Sequence, residues 1–429
     1  MPWWRVASSL PLLNLSPSQQ SILEYIQAIC ARRGYRLYAV GGIVRDWLLG
    51  KTDPPTDIDL VVEGETNCAI FIARELRTQY QTRYVEYPKF QTAELRWSDF
   101  TLDLTTARQE SYPSAGANPI VRASTLADDL WRRDFTINAL AVAILPHGQT
   151  GAVIDLFGGL RDLAEGVVRP IRADSFHEDP RRIFRAVRFA VRLGFSLPPA
   201  VRTEIVQLCH SGVHDGIGGS RLLAELQYIL AEGSPQRVQT ICQQLWELGA
   251  WRCVAGQFQP SAGLSMELRR LAKWRRWFGD TPDPLALCLL LYPAPREALQ
   301  QLNLAPSAIT QIQRARQLHT DLAQLPKESS PSEICDRLEQ EQIGTLLLAG
   351  AIHPHRWLWR YLTQWRHIPP LLSGKELRSL GYPPSRELGE LLKTLHRATL
   401  DGKITDKQQA IDLADDYWGT KLGKIMPNQ

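Results

Sequence analysis

No Cys-x-x-Cys pair occurs in this 429-residue chain, and its seven cysteines stand apart at 30, 68, 209, 242, 253, 288 and 335. That spacing argues against a zinc site or a disulfide framework and for a reducing, cytoplasmic setting. A long apolar run is also missing. The most lipid-like stretch, Leu285 to Tyr292, is flanked by prolines and falls far short of the ~20 residues that cross a bilayer, so no membrane association is expected. The N-terminal "MPWWRVASSLPLLNLS" has one arginine and no sustained apolar core; it reads as a tail rather than a signal peptide. Charge of one sign is scarce too. A net charge of +4 permits an acidic partner without requiring one, so any nucleic-acid surface must come from local clustering. Internal repeats and low-complexity tracts are absent.

What is present is ordinary globular material, 44% apolar and 22% charged, long enough for two to four domains at ~100–200 residues each. Ser16, Pro17 and Gln19 open a helix as a capping box with proline at its first position. "YRLYAV" reads as a buried strand running into Gly41-Gly42 and a short helix, and "DIDLVV" as a second strand. A helix over 66–80 follows, then strand-like runs "RYVEY", "QTAELRW" and "FTLDLT". Residues 109–124 read as an irregular loop, 134–141 as a helix, and the flanks of "PHGQTG" as a hairpin. Beyond about residue 160 helical periodicity takes over, broken at 198–200, 233–236, 281–284, 326–333 and 368–370.

Asp57 and Asp59 are two apart on a strand and so share a face. Two carboxylates beside apolar residues need a cation, and Mg²⁺ takes such hard oxygen ligands while bridging to phosphates. Asp103, on a later strand, would complete a three-carboxylate set for two metals and an in-line phosphoryl transfer. A lone Asp-x-Asp more often marks a strand end. Upstream, Gly41, Gly42 and Arg45 form a strand-to-helix turn where backbone N–H groups can approach a phosphate; a plain tight turn is the bland alternative. "RRDFTINAL" offers Arg133, Asp134 and Asn138 for phosphate and ribose, or merely a helix start capped by Asp134. "DLFGGLRDL" suits a hinge or a loop. In "HEDPRRIFRAVRFAVRLGF", Glu178 and Asp179 precede Pro180 at the first helical position, while Arg181, Arg185, Arg188 and Arg192 form one stripe. On its own that stripe reads as a solvated or phosphate-facing basic face.

Taken in order, "GGIVRDWLLG…DIDLV", "RRDFTINALA", "DLFGGLRDL" and "HEDPRRIFRAVRFA" resemble the class II tRNA nucleotidyltransferases, the bacterial CCA-adding enzymes and their poly(A) polymerase relatives. The match is dense from about 38 to 195, and the segment from 371 resembles the tail of long members. The resemblance implies an α+β fold: a nucleotidyltransferase palm over 1–160, a helical neck over 161–232, a helical body over 233–370 and a tRNA-binding tail over 371–429. It implies metal ligation by Asp57, Asp59 and Asp103, and triphosphate contact by Gly41, Gly42 and Arg45. Ribose contact falls to Asp134 and Asn138. Glu178, Asp179 and Arg182 match the motif whose acid and arginine pair with the incoming base, with Arg185 bracing that pair. The implied partners are CTP, ATP and the 3′ acceptor end of tRNA, and the implied cofactor is Mg²⁺.

Physical chemistry supports that base reading. Asp179 and Arg182 lie three apart on one helix face. A carboxylate only accepts hydrogen bonds and a guanidinium only donates. Cytosine and adenine each present an amino donor beside a ring acceptor, whereas guanine and uracil place a carbonyl against the carboxylate. Such a mismatch costs about 1–3 kcal/mol per buried group. The second family-like helix, "GGSRLLAELQYIL", keeps Arg221 and Glu225 but has Ser220 where an acid is common. His214-Asp215 lacks the further ligands of a metal phosphohydrolase. Complete CCA addition, partial CC or A addition, poly(A) synthesis and a non-catalytic RNA-binding role all remain open. Arg108 and Glu110, in a loop that A-adding members keep, favour A addition. An arginine-rich pattern typical of the poly(A) polymerases is missing around 89–97. "RRLAKWRRW" and "RWLWRYLTQWRH" interleave arginine with tryptophan, suiting either RNA stacking or an amphipathic helix with its tryptophans in the core.

Overall fold

The computed structural model describes residues 14–111, 120–146, 149–212, 219–279, 284–326 and 328–422. The N-terminal tail over 1–13 and His214-Asp215 lie outside the described residues. The chain forms two compact units, Met1–Pro260 with Gln301–Asn303, and Ser261–Gln300 with Leu304–Gln429.

The first unit opens as its capping box dictates. Ser16 Oγ accepts from the Gln19 backbone N–H at 3.3 Å, and the Gln19 side chain accepts from Ser16 N–H at 2.9 Å, starting the helix Pro17–Arg33. Strands β1 (Arg36–Val40), β2 (Asp57–Glu63), β3 (Arg83–Tyr87), β4 (Thr92–Arg96), β5 (Thr101–Thr106), β8 (Leu140–Ile144) and β9 (Thr150–Asp155) build a mixed sheet in the order β3-β4-β5-β2-β1-β8-β9. Only β2 and β5 pair in parallel; the remaining pairs are antiparallel. The crossover between them carries the helix Cys68–Tyr80, which packs on β4 and β5 through Ile72 and Leu76, both fully buried. Tyr38, Val40, Val61, Leu130 and Ala141 form a core cluster on the sheet. An α+β palm followed by helices is therefore what the sequence pattern implied.

Two stretches differ from expectation. The ends of the 109–124 loop are a ladder, β6 (Arg108–Ser111) against β7 (Ile120–Ala123), with Arg108 opposite Ala123; residues 112–119 lie outside the described residues. The helix expected over 134–141 is a 3₁₀ turn, Thr136–Asn138, leading straight into β8. Asp134 is not a helix cap; its carboxylate accepts from the Phe135 N–H and the Asn138 side chain, local bonds that compete with a helix. The apolar run Leu140–Ile144 then fills a central strand between β1 and β9, and a short apolar run cannot by itself tell strand from helix.

Gly158-Gly159 is a packed junction. Asp155 accepts from the N–H groups of Phe157, Gly158, Gly159 and Leu160 at 2.9–3.2 Å, fixing the start of the helix Gly159–Glu165. A Cβ on Gly159 would stand 2.3 Å from the Thr136 carbonyl oxygen. That close approach docks the helix onto the 3₁₀ turn and so onto the site.

The arginine-rich segment becomes a turn, Ser175–Glu178, an extended Asp179, and the helix Arg181–Leu193. Pro180 sits one place earlier than expected, as the cap residue, and Asp179 Oδ1 accepts the Arg181 N–H at 3.2 Å. Ile183, Phe184 and Val187 are fully buried, Phe184 edge-on to Trp251. Its neighbours include Gly219–Leu230 and Pro235–Glu247.

The second unit is helical. The helix Ile343–Ile352 is buried all round, and a Cβ on Gly350 would fall 1.8 Å from the Trp274 ring, so glycine admits that indole. Of the tryptophans weighed as RNA-stacking groups, Trp274, Trp357 and Trp365 are buried, while the half-exposed Trp277 and Trp359 pack on each other at 5.3 Å. Leu377, Leu391, Leu395, Ala410 and Ala414 form a core of their own near the C-terminus. Among the described residues no helix is long and apolar enough to cross a membrane.

Candidate active site

A cleft of about 750 Å³ in the first unit gathers the residues named above for metal, phosphate, ribose and base; of that set, Glu178 does not line it. Its floor is acidic. Parallel pairing sets Asp59 directly opposite Asp103, and Asp57 opposite Thr101. Antiparallel pairing sets Glu94 on the other side of Asp103, so three carboxylates run across β2, β5 and β4. Burial, then repulsion from Asp57, pushes the Asp59 carboxyl above its ordinary range against the pull of Arg133 and Arg45. Asp103 is pushed up to about 7, by burial first and then by Asp59, Glu94 and Asp57. Crowded acids with raised pKa values are a site that a hard divalent cation would relieve. Among the described residues no three acid, histidine or cysteine side chains converge on a metal-binding point, so the fit rests on the chemistry of the donor set.

The glycine turn closes one wall. Gly41 adopts φ +73°, ψ −128°, a region essentially confined to glycine, and donates its N–H to the Leu140 carbonyl at 3.1 Å. A Cβ there would stand 2.9 Å from Arg133 Nη1 and 3.5 Å from Asp59 Oδ2. Gly42 is under no such pressure, its nearest neighbour being Arg45 Nη2 at 3.6 Å.

A polar relay crosses the cleft. Arg45 Nη1 donates to Asn138 Oδ1 at 2.6 Å, Asn138 Nδ2 donates to Asp134 Oδ1 at 3.0 Å, and Arg185 grips Asp134 Oδ2 through Nε at 2.8 Å and Nη2 at 2.6 Å. Burial alone would raise the Asp134 pKa; the Arg185 charge and the Asn138 amide outweigh it and hold it down at about 2. Arg185 thus braces Asp134, whereas the resemblance implied that it would brace the Asp179–Arg182 pair.

Asp179 and Arg182 both line the cleft and are joined by a backbone bond, Arg182 N–H to the Asp179 carbonyl at 2.9 Å, but their side chains are held by other partners. Asp179 is held by Arg181, Nε to Oδ1 at 2.8 Å and Nη2 to Oδ2 at 2.7 Å. Arg182, 5% exposed, is fixed by Ser175 Oγ at 2.7 Å and the Arg132 carbonyl at 3.1 Å. Glu178 turns away to Arg172, lying 3.7 Å from Arg182. The stripe read as a solvated or phosphate-facing basic face is revised in part, since Arg181, Arg185 and Arg192 line the cleft. Arg188 is buried, with Nη1 at 3.4 Å from Glu232, and Arg192 Nε donates to the same carboxylate at 2.9 Å.

Several neighbours escaped the sequence reading. Asp129, with no exposed surface, takes Arg132 at 2.7 Å and Arg133 at 3.1 Å. Arg132 also reaches Glu110 at 2.9 Å, and Glu110 holds Arg108 at 3.0 Å, tying the base of the β6–β7 hairpin to the cleft. "DDLWRRD" carried this signal as acids three and four residues before arginines, a helical ion-pair spacing.

Residues 37–169 match the family described as Poly A polymerase head domain. Over 386 residues the chain is 40% identical to the CC-adding tRNA nucleotidyltransferase of Deinococcus radiodurans, covering 89% of this chain and 90% of that protein. The chain belongs to the tRNA nucleotidyltransferases. This tRNA nucleotidyltransferase is also 28% identical to the A-adding enzyme of Halalkalibacterium halodurans, covering 96% of each. It is 44% identical over 197 residues to the A-adding enzyme of Aquifex aeolicus, 46% of this chain, but spans only 23% of that relative's length. It likewise spans 44% of the Geobacter sulfurreducens A-adding enzyme, to which it is 31% identical over 88% of its own length. Among solved structures, a CCA-adding enzyme in complex with ATP superposes with a TM-score of 0.74 at 25% identity, covering 93% of this chain and 95% of that one. The Thermotoga maritima CCA-adding enzyme complexed with tRNA gives 0.72 at 25% identity, covering 95% and 96%.

Proposed function

We propose that this tRNA nucleotidyltransferase extends tRNA 3′ ends with nucleotides of the CCA sequence, taken from CTP and ATP without a nucleic-acid template. The observation carrying this reading is the convergence on one cleft of the sheet acids and the Asp179 and Arg182 side chains. Asp57, Asp59 and Asp103 would hold Mg²⁺, which when bound activates the attacking 3′ hydroxyl and neutralises charge on the transferring phosphoryl group. Gly41 and Gly42 bring backbone close to the triphosphate, and Arg45 and Arg133 supply positive charge beside it. Asp134 and Asn138, already fixed by Arg185 and Arg45, present the ribose contacts. Asp179 accepts the base amino group while Arg182, immobilised by Ser175 and the Arg132 carbonyl, donates to the ring acceptor. Residues 1–160, 161–232, 233–370 and 371–429 act as palm, neck, body and tail, the helical parts engaging the acceptor arm of tRNA in the cytoplasm.

Addition of CC alone is the second reading, favoured by 40% identity to a CC-adding relative over nine-tenths of that protein. tRNA transcripts ending before CCA, after C and after CC, supplied with CTP, ATP and Mg²⁺, separate the two. Growth of all three is the outcome for a complete enzyme, and a stop at CC is the outcome for the partial one. Extension only of the CC-ended tRNA would mean A addition, and a long A tail on unrelated RNA would mean a poly(A) polymerase. Arg182→Ala is expected to narrow the preference for CTP and ATP over UTP and GTP by about tenfold, one mismatched buried group at ~1.4 kcal/mol. Unchanged exclusion of UTP and GTP would remove Arg182 from base reading.

A further inference from the structure

Arg181 occupies a position that the functional reading leaves without a task. Its guanidinium takes both oxygens of Asp179, at 2.8 and 2.7 Å, and its own backbone N–H adds a third bond at 3.2 Å. A bidentate fork of this kind covers the edge of the carboxylate. Arg181 thus takes three of the roughly four acceptor positions of Asp179, so an incoming amino group meets it at the carboxylate.

On the same cleft, Glu225 carries the complementary vacancy in hydrogen bonding. It is 4% exposed, and its Oε2 has no hydrogen-bond partner. Its ion contact to Arg188 Nη2 is long, 3.9 Å, and Arg185 and Arg188 attract its carboxylate ahead of Arg181 without giving that oxygen a hydrogen bond. Arg188 in turn leans on Glu232, at 3.4 Å. A buried carboxylate oxygen left unpaired is costly, and Arg188 does not meet the need. Arg181 shares the helix face of Arg185 and Arg188, at i, i+4 and i+7. Its side chain is 28% exposed and lines the same cleft as Glu225. Glu225 already acts on it electrostatically.

We propose that Arg181 masks the base-reading carboxylate of Asp179 and is handed to Glu225 when a cytosine or adenine edge displaces it. The exchange keeps each buried charge partnered: Asp179 passes from guanidinium to base amino group, and Glu225 gains the donor it lacks. A uracil or guanine edge brings a carbonyl, cannot replace the donors of Arg181, and leaves the mask in place. This inference rests on the assignment of Asp179 as base reader.

The test is equilibrium binding of labelled CTP and UTP to the full chain with Mg²⁺, in Arg181→Met, Glu225→Gln and the double variant. Arg181→Met should raise CTP affinity about tenfold relative to UTP, the value of one lost competitor. Glu225→Gln should lower CTP affinity several-fold, and that loss should vanish in the Arg181→Met background, because the seat has no occupant there. A purely structural role for either residue would produce neither a gain in affinity nor this non-additivity. If Arg181→Met weakens CTP and UTP alike, Arg181 is a general nucleotide contact and the mask is overturned. If it strengthens both alike, Asp179 does not read the base and the underlying assignment falls with it. If the Glu225→Gln loss persists in the double variant, the mask stands alone and Glu225 is not its second seat.

Discussion

Asp59→Ala is expected to reduce nucleotide incorporation by about 10³-fold or more, equivalent to ~4 kcal/mol of lost transition-state stabilisation, while the melting temperature holds or rises. The two halves of that result come from one observation. Asp59, half-buried, sits opposite Asp103 on the cleft-facing side of the sheet, with the exposed Asp57 beside it, and its pKa is pushed above the ordinary carboxylate range. A carboxyl with a raised pKa in the fold disfavours the folded state once it is ionised at neutral pH. Removing it relieves the protein and disables the chemistry, the usual sign of a site kept for function at the expense of stability. Incorporation under saturating Mg²⁺ and a thermal melt of the same sample check both halves. A variant that loses activity only because it melts lower would assign Asp59 to structure.

The second large effect is on stability. Arg185→Ala is expected to cost about 3 kcal/mol, the low end for breaking a buried pair by removing one partner, because Arg185 is itself partly exposed. Asp134 would then keep its burial without the guanidinium that holds its pKa at about 2. In the unaltered chain this depressed pKa contributes stability that is complete above the ordinary carboxylate range and is lost as pH falls toward about 2. In the variant only the Asn138 amide and the Arg182 charge still oppose burial, so Asp134 titrates higher than in the unaltered chain, and the deficit is greatest at neutral pH and shrinks on acidification as the carboxyl protonates. Denaturant unfolding at pH 7 and at pH 5 measures the difference. A deficit independent of pH would mean that packing, not the unpaired charge, was lost.

Strand periodicity explains why the acid floor was legible. A period of two puts Asp57 and Asp59 on one face whatever the partner strand, and the order of glycine turn, acids and arginine-rich helix specifies a recurring site. Register is another matter. That Asp103 stands across from Asp59, and Glu94 across from Asp103, depends on which strands pair and in what alignment. The hairpin read on the flanks of "PHGQTG" is the antiparallel β8–β9 pair, and its first strand takes in Leu140 and Ala141, which the sequence assigned to a helix because a short apolar run suits either. Ion-pair partners were the least legible feature. Arg185 selects Asp134, fifty-one residues away, over the acids on its own segment, and Arg192 selects Glu232, forty residues on. Charge pattern along a helix identifies a basic stripe but does not identify the acid that another helix or turn brings to it. Arg181 was hidden for the opposite reason, since its partner Asp179 is so near in sequence that the pair looked like a helix cap.

Template-free selection is the central claim, and a comparison of the four nucleotides tests it most directly. A tRNA transcript ending before CCA, with Mg²⁺ and no other nucleic acid, is given CTP, ATP, UTP or GTP singly, and single-turnover rates are compared. The proposed pairing of Asp179 and Arg182 with the base edge requires CTP to be incorporated at least about 10²-fold faster than UTP, two mismatched groups at ~1.4 kcal/mol each. Equal incorporation of CTP and UTP by the unaltered protein would contradict it.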